Sequence, residues 1–291
     1  MYTVLKVTSV LMTCLILMGA TDTGKAPEIS SPTVIKVEPG SGYHPKLAPD
    51  GRTIAYTRRN DTDTSIWIGS INGGPAYQLE IGLNGDCAMD WHPDGKTLVF
   101  DCYKPGTDGP VVIWTMALND KAPRLVSEKV RMGSHPVWSP DGSLIAFTSM
   151  VNAKTAIHTM GPEGQNIRRL TDTGGEDWHP AWSPDGKSIV FTSDHTGDGE
   201  IWMVNVADGK LRRLTDDPAH DDRAVFSPDG KRLAFTSERT GSSEIWIQDL
   251  VNGELTQVTD SDAYNTMPCW TPDGKSLIYS DLKNLLVIEV E

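Results

Sequence analysis

The sequence predicts an all-β chain: a six-bladed β-propeller of four-stranded blades, closed by an N-terminal strand that completes the last blade. Three observations carry this prediction. First, Pro-Asp-Gly recurs at Asp50, Asp94, Asp141, Asp185, Asp229 and Asp273, with spacings of 44, 47, 44, 44 and 44 residues. A fixed period in the forties is the signature of a blade-like array. Second, apolar positions keep step with the turns. Six residues after each Asp stand Tyr56, Phe100, Phe147, Phe191, Phe235 and Tyr279, and three before it stand Leu47, Trp91, Trp138, Trp182, Phe226 and Trp270. Third, each unit breaks into short β-prone runs separated by Gly/Asp-rich loops, with no helical periodicity.

The elements follow in chain order. Thr33–Glu38 is an orphan strand, as far ahead of its Pro-Asp-Gly as the fourth strand of each later unit, so it is expected to close the ring. Blades one to six then repeat one plan, clearest in blade four. His179–Ser183 is the inner strand and Pro184-Asp185-Gly186-Lys187 a tight turn. Proline there fixes φ, aspartate can bond its own backbone, and glycine accepts positive φ. Ser188–Ser193, Glu200–Val206 and Leu211–Thr215 supply the other three strands. Ile66-Trp67, Ile113-Trp114, Ile201-Trp202 and Ile245-Trp246 mark the third strands, with Ile157-His158 substituting in blade three. Blade two carries the extra residues of the 47-residue spacing in a loop at 104–110. Blade six has only Met267–Thr271, Lys275–Asp281 and Leu285–Glu291, so it needs the N-terminal strand. The six aspartates of the turns read as turn formers, not as catalytic acids.

Residues 1–20 hold one charged side chain, Lys6, then the apolar run Val7–Met18 and Gly19-Ala20. This pattern reads as a signal peptide, too short for a comfortable membrane span, with 21–32 a linker and 33–291 the propeller. Export fits a disulfide. A hairpin centred between Asp94 and Gly95 sets Cys87 directly opposite Cys102, a separation that a disulfide can bridge. With 26 basic against 39 acidic residues, the formal charge of −13 argues against nucleic acid or an anionic membrane as the general partner.

The string His-Pro-x-Trp-Ser-Pro-Asp-Gly-Lys-x-Ile-x-Phe-Thr-Ser at His179–Ser193 resembles the WD40-like (PD40) repeat of the TolB-type propeller family. The resemblance covers residues 33–291. It implies a periplasmic or secreted protein acting with a partner in the cell envelope, as TolB-type proteins act with a peptidoglycan-associated lipoprotein. The α/β domain that precedes the propeller in TolB proper has no room in residues 21–32. Oligogalacturonate lyases, which also resemble this propeller class, use channel histidines with a metal.

Function is sought where residues depart from the repeat. Eight of the nine Trp occupy the two repeat positions, whereas Trp178 stands seven residues before its turn Asp, with Tyr43 its equivalent in blade one. Six before the Asp are His44, Ala88, His135, His179, Arg223 and Met267; eight before are Gly42, Asp86, Gly133, Asp177, Asp221 and Asn265. Tyr43, His44, Asp86, His135, Asp177, Trp178, His179, Asp221 and Arg223 are therefore the candidate binding residues, expected around one mouth of the central channel. Three readings stay open at this point: a binding surface for a protein or other ligand, a cation site on His44, His135 and His179, or side chains that merely start the inner strands. The expectation is a monomeric, non-catalytic binding module without cofactor. The alternative is a metal-assisted lyase or hydrolase acting on sugar acids.

Overall fold

The computed structural model describes residues 31–38, 42–59, 64–83, 88–103, 109–130, 132–151 and 154–290. Six four-stranded antiparallel sheets follow one another along the chain. From inner to outer strand, blade one is Tyr43–Leu47, Thr53–Arg59, Thr64–Ser70 and Tyr77–Gln78; blade two is Met89–Trp91, Thr97–Tyr103, Val111–Ala117 and Arg124–Leu125. Blade three is Ser134–Trp138, Ile145–Val151, Lys154–Met160 and Arg168–Arg169; blade four is Asp177–Trp182, Ser188–Ser193, Glu200–Asn205 and Leu211–Arg213. Blade five is Asp221–Phe226, Arg232–Ser237, Glu244–Asp249 and Leu255–Gln257. Blade six takes Thr266–Trp270, Ser276–Ser280 and Leu285–Glu289 from the end of the chain and Thr33–Val34 from its start.

The N-terminal closure is as expected, but shorter. Thr33 pairs with Val287 and Val34 with Leu286. The chain then leaves blade six, and Val37–Glu38 runs parallel to Gly74–Pro75 of blade one. The expected single strand over Thr33–Glu38 is thus divided between two blades.

Apolar side chains of the second strands are buried on both faces because each sheet is sandwiched between two others. Tyr56, Phe100, Phe147, Phe191 and Phe235 are fully buried and Tyr279 nearly so. Six hydrophobic clusters result, each joining two neighbouring blades. Val190, Ile201, Ala224, Leu233 and Phe235 join blades four and five, and Ile35, Ile54, Tyr56, Ile278 and Leu285 join six to one. The Trp three residues before the turn Asp adds a polar stitch. Trp91, Trp182 and Trp270 each donate the indole N–H to an inner-strand carbonyl of the preceding blade, at Lys46 (3.0 Å), Val137 (3.3 Å) and Val225 (3.3 Å). In blade three Trp138 uses its backbone instead, donating to the Asp90 carboxylate at 2.9 Å.

The turn aspartates behave as turn formers. Asp50 Oδ1 accepts from the amides of Arg52 and Thr53, both at 2.8 Å, and Gly51 takes the left-handed φ of 67° that the turn requires. At Asp141 the Ser139 hydroxyl, then the Ser143 amide and hydroxyl, lower the carboxyl to about 2. The hydroxyl two residues earlier leads the same lowering at Asp185, Asp229 and Asp273. At Asp50 and Asp94 burial opposes the shift and the turn's hydrogen bonds overcome it. Carboxyls lowered by folding stabilise the native state above their unfolded value, and that contribution is lost as pH falls through the folded one. These turn carboxyls are therefore expected to contribute a fall in the thermal midpoint between about pH 4 and 2. Calorimetry across that range checks it; an undiminished midpoint at the acid end would contradict it.

In blade two the observed pairs Met89–Phe100, Asp90–Val99 and Trp91–Leu98 keep the register expected for a hairpin centred between Asp94 and Gly95. Cys102 is disulfide-bonded and Cys269 is free. The expected partner, Cys87, lies outside the described residues, as do Asp86 and the whole of the expected signal peptide.

Candidate functional site at the channel mouth

The inner strands do not run straight. In blades one, three, four, five and six the register with the second strand shifts around the position six before the turn Asp. At that position His44, His135, His179, Arg223 and Met267 have φ of 52°, 51°, 52°, 57° and 60°. A bulge with one residue in the left-handed region breaks the strict alternation of a strand and re-aims a side chain. Four of the five residues precede proline, which disfavours helical backbone in its neighbour, so the conformation is held by the surrounding ring.

The consequence is convergence. His44, Ala88, His135, His179, Arg223 and Met267 all line one cavity on the channel, with about 570 Å³ of empty space, partly open to solvent. The His135 and His179 rings meet edge to face, their centroids 4.3 Å apart. Tyr43 packs edge-on to His44 at 5.4 Å. The His44 amide donates to Met267 Sδ at 3.2 Å across the seam between blades one and six.

One residue outside the candidate set organises this group. Asp222 Oδ1 accepts from His179 Nδ1 at 2.6 Å, from the Thr192 hydroxyl at 2.7 Å and from the Arg223 amide at 2.7 Å. Its Oδ2 lies 3.3 Å from Arg223 Nε. Burial would push this carboxyl up, but the His179 imidazole, the Arg223 guanidinium and the Thr192 hydroxyl hold it well below the usual range. Asp222 is therefore an anion. Asp101 plays a backbone role nearby, accepting from the amides of Ala88 and His135 at 2.7 Å each. Burial, helped by Arg223, His179 and Lys46, drives the His44 imidazole well below its ordinary value. Burial also leads at His135, with His179, Arg223 and His44 adding to it and Asp222 opposing. Both rings are neutral at pH 7.

Of the nine candidates, His44, His135, His179 and Arg223 come together here. Tyr43 braces His44, while Trp178 is half-buried, pairs with Thr192 across the strand and does not line the cavity. Asp177 and Asp221 do not reach the mouth. Asp177 is buried and accepts from the hydroxyls of Thr171 (2.5 Å) and Thr173 (2.7 Å), and Asp221 is buried against Arg239. In blades four and five the position eight before the turn Asp thus faces blade packing rather than the axis. Reading the column seven before it through every blade would have exposed Asp222, the acid in the slot that Tyr43 and Trp178 fill elsewhere. Among the described residues, no three His, Cys, Asp or Glu side chains are grouped to hold a metal ion.

Comparison with known proteins agrees with the architecture. The PD40 family, described as the TolB beta propeller domain, matches residues 28–177, 107–217 and 174–290. The Tol-Pal system protein TolB of Anaeromyxobacter dehalogenans is 31% identical over 118 residues, covering 40% of this chain and 26% of that protein. An uncharacterized peptidase of Bacillus subtilis, YuxL, is 32% identical over 110 residues, 36% of this chain and 16% of its own length. The matches thus span about a quarter or less of these curated relatives. Among solved structures, a putative TolB from Agrobacterium tumefaciens superposes with a TM-score of 0.70 at 22% identity, over 87% of this chain and 91% of that one. An oligogalacturonate lyase solved in complex with manganese gives 0.59 at 16% identity, over 90% and 96%. At such identities these two likenesses speak to fold. The successive repeat matches run through nearly all of the propeller, and the chain belongs to the TolB β-propeller (PD40) family.

Proposed function

We propose that this chain is an exported, non-catalytic propeller that binds a protein partner of the cell envelope at the channel mouth. The observation that supports the reading is the convergence of His44, His135, His179 and Arg223 on one cavity, with Asp222 fixing two of them. Tyr103 and Met150, near the ends of second strands, and Met132 and Tyr264, just ahead of inner strands, are 40–49% exposed. In antiparallel blades those strand ends lie at the same end of the ring as the mouth. An apolar rim around a polar centre suits a protein surface. Export rests on the pattern of residues 1–20, and the TolB family membership favours an envelope location. Among the described residues, no helix is long and apolar enough to cross a membrane.

The test is capture from a native envelope extract by the full chain and by His179→Ala and Trp178→Ala variants. His179→Ala is expected to lower recovery of the captured partner about tenfold or more, with capture compared at a temperature where calorimetry shows each variant folded. Equal capture by wild type and both variants would overturn the reading.

A second reading is favoured by the 2.6 Å His179–Asp222 hydrogen bond, the arrangement that orients an imidazole for proton transfer. On it, the mouth belongs to a metal-assisted lyase or hydrolase acting on sugar acids; one structural neighbour, an oligogalacturonate lyase, was solved in complex with manganese. Product formation from oligogalacturonate, lost in His179→Ala, would select this reading over the first.

A further inference from the structure

The geometry points to the mouth as a receptor for a single carboxylate group, gripped by Arg223 with His44 and His135 and taken up together with a proton. The inference rests on the reading of this mouth as a binding site and specifies what it binds.

The argument is one of unmatched donors. Arg223 spends Nε on Asp222, and its two terminal nitrogens have no partner among the described residues. Among the described residues His135 Nδ1 is buried without a hydrogen bond, and the His44 ring makes a T-shaped contact with Tyr43. Asp222, the carboxylate at hand, is already engaged through both oxygens, by His179, Thr192 and the Arg223 amide on one and by Arg223 Nε on the other. A guanidinium nitrogen can only donate, so the mouth is short of an acceptor for Arg223. A cation would be repelled by the Arg223 charge that already acts on both rings. A carboxylate presents two coplanar oxygens that match the guanidinium fork. The wall selects against a free inorganic anion: Pro45, Pro136, Pro180 and Pro268 stand around the same cavity and suit the carbon end of an organic acid. An acidic side chain or a free C-terminus of a partner offers this chemistry.

The proton follows from what surrounds the imidazoles. Arg223, His179 and Lys46 face His44, while His179, Arg223, His44 and Asp222 face His135. Apart from Asp222 every one of them disfavours the imidazolium, so both rings are neutral when the mouth is empty. An anion seated among them reverses the local field and favours protonation. Affinity therefore rises as pH falls, by up to about tenfold per pH unit for one proton taken up, until the ligand's own carboxyl protonates near about pH 4–5.

The experiment uses the full chain and propionate as probe, with propionamide as its neutral isostere and inorganic phosphate as the competing anion. Histidine ring resonances are followed by NMR across pH. Propionate is expected to shift the His44 and His135 signals, raise their titration midpoints and bind more tightly at lower pH. Propionamide should do none of this, phosphate should bind more weakly than propionate, and Arg223→Gln should weaken propionate about tenfold or more. Should Arg223→Gln fail to fold, the pH dependence of propionate binding to the wild type decides alone. Rings unmoved by propionate, equal effects of propionamide, or tighter binding of phosphate would each overturn the inference. If propionate fails while envelope capture still falls in His179→Ala, carboxylate recognition is lost and the binding reading stands. If neither responds, both are lost.

Discussion

Arg239→Ala will lower the unfolding free energy by about 3–5 kcal/mol, the range for removing one partner of a buried ion pair. Asp221 is fully buried and the Arg239 side chain is only 10% exposed. One guanidinium nitrogen donates to both Asp221 oxygens at 3.0 and 2.8 Å, while Nε reaches the Ser237 hydroxyl at 2.8 Å. The same guanidinium lies over the rings of Phe235 and Trp246, at 5.3 and 4.9 Å. Truncation therefore strands a carboxylate and strips two aromatic faces at once. Urea unfolding measures the loss, and the double variant Asp221→Asn/Arg239→Met should recover part of it because no charge is then left buried. A loss below about 1 kcal/mol, the scale of an exposed pair, would show that the cluster is not holding blade five.

Phe191→Ala is expected to cost about 3–5 kcal/mol as well, by a different route. Phe191 is fully buried among Val137, Ala146 and Ile157 of blade three and Ile189 and Val204 of its own blade. The ring fills the space between two sheets, so the cavity left behind is walled by backbone that cannot close without moving a whole blade. For a chain of this size the thermal midpoint should fall by about 6–20 °C. The effect should spread beyond blade four: hydrogen exchange in the third strand of blade three, Lys154–Met160, should quicken with it. Exchange quickened in blade four alone would contradict a shared interface.

The blade plan was legible because turn chemistry and packing repeat together. Pro-Asp-Gly needs its glycine at positive φ, and the Phe or Tyr six residues later needs a slot between sheets, so both recur in register. Closure was legible from the missing fourth strand of blade six, but the division of Thr33–Glu38 between two blades was not, because two-residue pairings leave no periodicity to read. At the site, the column containing His44, His135, His179 and Arg223 was found as a departure from the repeat. Its meaning depended on the bulge, which strand alternation does not announce. The same alternation made Asp177 and Asp221 look like neighbours of the mouth, whereas they turn into blade packing and hydrogen-bond there. Asp222 was hidden in plain view between Asp221 and Arg223, distinguished only by the slot it occupies against Thr192 and His179 of the preceding blade.

The short N-terminal pairing has a mechanical side. Thr33–Val34 is hydrogen-bonded to the outer part of blade six and Val37–Glu38 to blade one, so one stretch of chain lies across the seam like a bolt. Tension arriving from the residues ahead of Thr33 would be shared between the blade-six sheet and the small parallel pairing with Gly74–Pro75. It would load short antiparallel and parallel pairings in succession. The ring would then yield first at its fastening, with the other five blade junctions still intact.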